Sequence, residues 1–321
     1  MALRIVFFGS PQFAVPSLEA LANHARVSVD LVVTQPDRRA GRGRDLVAPP
    51  VKVAADASGI PIWQPDSLRT EEARERLRTT HADLFVVVAY GELFQRAVLA
   101  IPTHGCLNVH PSLLPRYRGS APIQTAILNG DRETGVSIIQ MVRRLDAGPI
   151  VAQRQIALDG TETGGSLSDT LAKLAGQMLP DVVLGWTAGR IEPRPQDDER
   201  ATVTRELTKA GGEIDWQDEA GAIERQVRAY QPWPTSWTML GGKRVVIDRA
   251  ELDRREFRLP FGTVISEDRA VLVTCGTGSL RLLEVRPEGK RAMPARDWLR
   301  GLHGPDAPRF ESAKGKSGEP G

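Results

Sequence analysis

The chain of 321 residues has two cysteines, Cys106 and Cys275, distant from each other and in no CxxC arrangement. A disulfide framework needs several paired cysteines and a structural zinc site needs ligands at short spacings, so neither organises this chain. Histidine is scarce too, and His24, His81, His104 and His303 show no metal-ligand spacing; no metal is expected. No apolar run approaches the ~20 residues that span a bilayer. Met1–Arg4 runs straight into a strand-like Ile5–Phe8 without the apolar core of a signal peptide. The expectation is a cytoplasmic chain with no membrane attachment. An excess of one charge is also absent: the net charge is +2, with 23 Lys and Arg against 22 Asp and Glu over 1–205 and 19 against 18 over 206–321. Bulk charge therefore does not announce a nucleic-acid partner. Internal repeats and low-complexity blocks are missing as well.

What is present is enough apolar material for two cores, with 41% hydrophobic and 26% charged residues. The first half alternates strand and helix signals. Strands are expected at Leu3–Phe8, Val27–Thr34, Ile60–Trp63, Leu84–Ala89, Cys106–His110, Val136–Val142 and Ile150–Ile156, and helices at 13–22, 51–58, 71–80, 122–128 and 167–187. Leu84-Phe85-Val86-Val87-Val88-Ala89 is a continuous apolar run of the kind a parallel sheet covered on both faces requires. The fold class read from this is α/β, a doubly wound, mainly parallel sheet over 1–189. Residues 190–205, with Pro193, Pro195 and several acids, read as a linker. Beyond it, one helix near 219–230 and short strands near 238–240, 245–247, 262–265, 270–274 and 279–285 suggest a small β-barrel or sandwich, of the OB kind, over 206–312. From Ala313 to Gly321 the composition is that of a disordered tail.

Chemistry concentrates in a few places. Asn108 and His110 are two apart in a strand, so both side chains leave one face, and Pro111 biases His110 toward extended geometry. Leu145-Asp146-Ala147-Gly148 follows about thirty-five residues later. Each alone is as readily a loop or turn residue; together they offer a neutral donor, an imidazole with a movable charge and a carboxylate to balance it, a set suited to acyl transfer. Open α/β sheets place ligands at the carboxyl ends of their strands, and Gly9, Tyr90-Gly91, Asn108–Pro115 and Asp146 all follow apolar runs. Arg38, Arg39, Arg42 and Arg44 crowd into Gln35–Asp45. Gly and Pro there oppose regular structure, giving a flexible basic loop fit for phosphate or base contacts.

Ordered motifs add a resemblance. Phe8-Gly9-Ser10-Pro11-Gln12-Phe13-Ala14, Thr34-Gln35-Pro36-Asp37 with Ala40-Gly41-Arg42-Gly43-Arg44, and Val86-Val87-Val88-Ala89-Tyr90-Gly91 come first. Asn108-Val109-His110-Pro111-Ser112-Leu113-Leu114-Pro115-Arg116-Tyr117-Arg118-Gly119, Ala121-Pro122-Ile123-Gln124, Glu133-Thr134-Gly135-Val136, Asp146-Ala147-Gly148 and Pro232-Trp233-Pro234 with Ser236-Trp237 follow. From Leu3 to about Arg300 the chain resembles the methionyl-tRNA formyltransferases, Rossmann-like folate-dependent enzymes with a carboxyl-terminal barrel. The resemblance implies 10-formyltetrahydrofolate as formyl donor and the α-amino group of methionine on initiator tRNA as acceptor, for translation initiation. It implies that Asn108 and His110 donate to the formyl oxygen, while Asp146 holds His110 protonated and helps move the proton. A folate wall is expected from Ser112, Leu113, Leu114 and Pro115 with the backbone of Val88, Ala89, Tyr90 and Gly91. The Arg38–Arg44 loop, Arg42 foremost, corresponds to the segment that reaches the acceptor stem, the barrel to a tRNA-binding domain, and the whole to a monomer.

One departure stands at Arg143-Arg144, where the family has acidic or small residues before the Leu-Asp pair. That feature resembles folate enzymes that formylate amino sugars on nucleotides, the nearest rival. A nicotinamide oxidoreductase fits poorly, because Pro11 occupies the place of the second glycine in G-x-G-x-x-G. A non-enzymatic RNA-binding protein would leave the polar trio as mere strand caps.

Overall fold

The computed structural model describes residues 2–40, 45–253, 255–302 and 308–311; Arg42, Arg44, His303 and the tail expected over 313–321 lie outside them. The described chain forms two compact units.

The first unit holds β1 (Leu3–Gly9), α1 (Val15–Ala22), β2 (Val27–Val33), β3 (Arg38–Ala40), β4 (Asp45–Val47), α2 (Pro50–Ala57), β5 (Ile62–Trp63), α3 (Glu71–Arg78), β6 (Leu84–Val88), α4 (Arg96–Leu99) and β7 (Cys106–His110). After α5 (Pro122–Leu128), β8 (Glu133–Gln140) and β9 (Ile150–Ala157), the long α6 (Gly164–Thr187) supplies most of its length to this unit. Seven strands form one sheet in the order β5-β2-β1-β6-β7-β8-β9. β5 through β7 are parallel neighbours, and β8 and β9 are antiparallel. Every residue of β6 is buried, as its uninterrupted apolar sequence requires. Strand order reverses between β1 and β6, the switch point beyond whose carboxyl ends open α/β sheets place their ligands. Gly9 ends β1 tightly packed at that point: a Cβ on it would lie 2.9 Å from the Val88 carbonyl oxygen and from the Ala14 side chain. α3 shows how the ends are set. Thr70 accepts the Ala73 amide at 3.1 Å, with Glu71 and Glu72 in the first turn and Arg76 and Arg78 in the last.

The structure corrects two expectations here. The basic segment does contain regular structure: β3 and β4 pair antiparallel, Arg38 with Val47 and Arg39 with Leu46. Residues 190–205, expected to be a linker, are hydrogen-bonded into the first unit. Arg194 exchanges backbone bonds with Ile150 at 2.7 and 2.9 Å, and Arg118 bonds Thr202 and Thr204, both at 2.8 Å. Their polar composition, which gives little to bury, still supplies donors and acceptors.

The second unit takes Ile123–Arg132 and Leu158–Ser166 from the first half of the chain, and Glu206 onward. Those two pieces were expected within 1–189; Arg225 and Arg228 hold them by donating to the carbonyls of Leu128 at 2.9 Å and Glu162 at 2.8 Å. α7 (Ala220–Ala229) precedes β10 (Ser236–Leu240), β11 (Lys243–Asp253), β12 (Val264–Glu267), β13 (Ala270–Thr274), β14 (Ser279–Pro287), β15 (Met293–Pro294) and α8 (Ala295–Arg300). The antiparallel order is β10-β11-β14-β13-β12, with β15 on β14. Glu311 bridges Met239 of β10 and Arg309 bridges Thr263 beside β12, so this last strap joins the two edges into a small barrel. Between them Phe310 stacks on Trp216 and Trp298, centroids 5.2 and 5.7 Å away, inside the barrel core.

Candidate active site

Within β7, Asn108 pairs with Val87 of β6 and Ile139 of β8, and His110 with Ser137 of β8. Their two-residue spacing turns both side chains to one face, and Asp146 meets them there. β8 runs antiparallel and ends opposite Leu107, so Asp146 does not come from the strand end that carries His110. The β8–β9 connection instead brings it across the face of β7. Asn108 Nδ2 donates to Asp146 Oδ1 at 3.4 Å, His110 Nδ1 lies 3.6 Å from Asp146 Oδ2, and the Gly119 amide donates to the same oxygen at 2.9 Å. Asp146 holds this position with a left-handed backbone, φ +49°. For a non-glycine residue that conformation is disfavoured and persists only where its surroundings impose it.

His110 is 4% exposed, and its Nε2 lies 2.8 Å from the Tyr117 carbonyl oxygen. A carbonyl only accepts, so Nε2 carries the proton and Nδ1 is the atom that faces Asp146. Burial pushes the ring's pKa below its ordinary value, against the upward pull of the Asp146 carboxylate and the Tyr117 carbonyl. Burial thus favours the neutral form of the imidazole. That direction runs against the expected hold of Asp146 on a charged ring, with desolvation of the buried cation the larger of the opposing effects. Cys106, on the same strand, is buried and its thiol is pushed far above the usual range by desolvation, which removes it as a nucleophile.

A cleft of about 350 Å³, counting space open to solvent, adjoins the trio. Asn108 and Asp146 line it with Leu93, Phe94, Ile139, Met141, Val142, Arg143, Arg144, Leu145 and Gly148. Leu93, Val142 and Leu145 are 59%, 41% and 50% exposed, an apolar rim that water alone does not favour.

The other expected site residues fall variously. Ser112 and Leu114 face inward: the Ser112 hydroxyl donates to the Arg116 carbonyl at 2.7 Å, and Leu114 packs with Ile139 and Ile150 behind the cleft. Ser137 clamps this turn, donating to the Ser112 carbonyl at 2.6 Å and accepting the Leu114 amide at 3.1 Å. Leu113 and Pro115 are half-buried. Val88 and Tyr90 are buried, whereas Ala89 and Gly91 are exposed with φ of +50° and +89°. Arg38 is exposed on β3, and Arg39 is described through its backbone alone. Arg144 pairs with Asp198 at 2.6 Å. Sequence reasoning missed Tyr117 as the partner of His110 and Gln196 as a partner of the Asp146 turn. Tyr117 stood inside a quoted motif, but a main-chain carbonyl leaves no signal in side-chain identity.

Comparison with known proteins assigns the chain. Residues 3–183 match the family model described as formyl transferase, and residues 206–303 match the formyl transferase carboxyl-terminal domain. The chain is 49% identical to the methionyl-tRNA formyltransferase of Stenotrophomonas maltophilia strain R551-3 over 301 residues, covering 92% of this chain and 97% of that protein. It is 48% identical to the methionyl-tRNA formyltransferase of Roseiflexus sp. strain RS-1, covering 94% and 93%. A crystal structure of an N-formyltransferase from Helicobacter canadensis, in complex with folinic acid and dTDP-3-aminofucose, superposes with a TM-score of 0.64 at 17% identity over 88% of this chain and 99% of that one, a likeness of fold. A chain that matches both domain models and is nearly half identical to these relatives over more than nine-tenths of its length belongs to the formyl transferase family, with the methionyl-tRNA formyltransferases.

Proposed function

We propose that the protein transfers the formyl group of 10-formyltetrahydrofolate to the α-amino group of methionyl initiator tRNA. The observation that carries this reading is the convergence of Asn108 Nδ2, His110 Nδ1 and the Asp146 carboxylate beside an apolar cleft, in a chain of this family. The cleft suits a flat ring system: exposed Leu93, Val142 and Leu145 gain a partner, and Asn108 and Asp146 supply polar contacts at its wall. The folate supplies an N-formyl group with an amine as leaving group. The folate wall expected from Ser112–Pro115 and the backbone of Val88–Gly91 is kept in this reading beside the Leu93–Leu145 side, with Leu113 and Pro115 half-buried and the Ser112 and Leu114 side chains turned inward.

The acceptor amine is already a nucleophile near neutral pH, since a free α-amino group titrates near ~8 and an esterified one lower. The protein's task is to stabilise the oxyanion and move one proton. As the amine nitrogen bonds to the formyl carbon, Asn108 Nδ2 donates to the oxygen that gains charge. His110 Nδ1, neutral at rest and free of the Tyr117 carbonyl, accepts the proton that the attacking nitrogen sheds. The cation so formed sits beside Asp146, which offsets it, and passes the proton to the departing folate nitrogen as the old C–N bond breaks. The charge on His110 thus arrives with the reaction instead of being stored beforehand. Arg38, Arg39, Arg42 and Arg44 offer contacts to the acceptor stem.

The test is a formylation assay with 10-formyltetrahydrofolate and methionyl-tRNA, with an amino-sugar nucleotide as competitor. Formylmethionyl-tRNA is the expected product, insensitive to the competitor. Preferential formylation of the sugar nucleotide, or tRNA binding without turnover, would overturn the proposal.

A further inference from the structure

Beyond the trio, a glutamine and a buried arginine are committed to the turn that carries Asp146. Gln196 Nε2 donates to the carbonyls of Asp146 and Gly148, each at 2.7 Å. Its Oε1 accepts from Arg118 Nε at 3.1 Å and Nη2 at 2.8 Å. A guanidinium only donates and a carbonyl only accepts, so the amide has one possible orientation and its bonding capacity is used. Arg118 is 3% exposed, and its Nη2 also lies 2.8 Å from Asp198. The residues on either side of Arg118 touch the trio directly. The Tyr117 carbonyl accepts from His110 Nε2 at 2.8 Å, and the Gly119 amide donates to Asp146 Oδ2 at 2.9 Å. One stretch of backbone therefore sets both titratable members of the site, and Gln196 locks that stretch to the two ends of the Asp146–Gly148 turn.

We propose that Gln196 is a positioning residue for formyl transfer, holding the Asp146 turn against Arg118 so that the carboxylate stays between Asn108 and His110. The inference rests on the catalytic reading of Asp146. Gln196→Met keeps length and bulk without an amide. Gln196→Glu keeps an acceptor for Arg118 but sets an anion against two carbonyls. Steady-state formylation with 10-formyltetrahydrofolate and methionyl-tRNA is measured for both beside Asp146→Asn, and the His110 ring is titrated by NMR in the free protein. Both Gln196 variants are expected to lose about ten- to hundredfold in kcat, with the KM for tRNA changed less than about twofold, as a displacement near 1 Å at the reacting groups would cause. The His110 titration is expected to move to lower pH as the carboxylate leaves the ring.

A merely structural glutamine would lower the melting temperature and leave kcat and the titration where they were, and that result overturns the positioning role. If Asp146→Asn is as fast as the parent chain, the catalytic reading itself falls. If Asp146→Asn is slow while both Gln196 variants match the parent in kcat and titration, only the inference about Gln196 falls. Should Gln196→Met not fold, Gln196→Glu, which keeps the Arg118 contacts, supplies the same two readouts.

Discussion

At the scale of single residues, His110 is the group whose environment decides most. Its Nε2 proton is committed to the Tyr117 carbonyl at 2.8 Å, so Nδ1, 3.6 Å from Asp146, is the ring nitrogen left to exchange a proton in the proposed reaction. His110→Ala and Asp146→Asn are each expected to lower kcat about 10²–10³-fold, with tRNA binding retained in a filter or mobility-shift assay. Near-normal turnover in either variant contradicts the assigned roles. The depressed pKa also carries a stability signature. The folded ring binds its proton less readily than the unfolded one, whose value is near 6.5. The contribution of a neutral His110 is therefore complete above about pH 6.5 and is lost as pH falls through the folded value, with a slope of at most about 1.4 kcal/mol per pH unit. Urea unfolding between about pH 8 and pH 5 should show the parent chain losing more stability than His110→Gln. Parallel pH curves for the two would show that burial of the neutral ring contributes nothing to the fold's acid sensitivity.

At the scale of elements, the β8–β9 connection is the piece that makes three residues into a site. β8 ends opposite Leu107, and the connection must fold back over β7 to bring Asp146 to Asn108 and His110. Gly148 permits this: a Cβ there would collide with the carbonyl of Gln140 in the strand just completed. Backbone cannot rotate away as a flexible side chain can, so the turn itself has to shift. Gly148→Ala is expected to destabilise the protein by roughly 1–3 kcal/mol in chemical denaturation and to lower kcat more than the KM for either substrate. A variant with parent-like kcat would mean that Asp146 tolerates displacement of its turn. The basic hairpin β3–β4 makes a related point, since pairing of Arg39 with Leu46 fixes where Arg38 is offered even though glycines follow.

At the scale of the whole molecule, a net charge of +2 spread evenly along the chain leaves any affinity for a polyanion to local clusters. The KM for methionyl-tRNA should therefore rise with salt, with a slope of log KM against log salt of roughly 0.7–0.9 per phosphate contacted. Arg42→Ala and Arg38→Ala should reduce that slope while kcat at saturating tRNA is kept. An unchanged slope would remove these arginines from the tRNA contact. Both compact units draw on both halves of the described chain: α7 holds the carbonyls of Leu128 and Glu162 through Arg225 and Arg228, and the segment 190–205 is bonded to the loops around Asp146.

Local pattern specifies the type and order of most elements, β3, β4, α4, β15 and α8 excepted, together with the burial of β6, the one-sided display of Asn108 and His110, and the family. These depend on local period and composition, which are written residue by residue: Cys106–His110 and Pro122–Leu128 were legible to their ends. The β3–β4 pairing, the strap at 309–311 that closes the barrel, the attachment of 123–132 and 158–166 to the second unit, the lowered pKa of His110 and the grip of Gln196 on the Asp146 turn emerge only in the folded chain. Apart from the local β3–β4 pairing, each rests on a main-chain carbonyl, a register or a loss of solvent that involves residues remote in the chain. Side-chain identity encodes what a residue can offer; only the folded backbone settles what it meets.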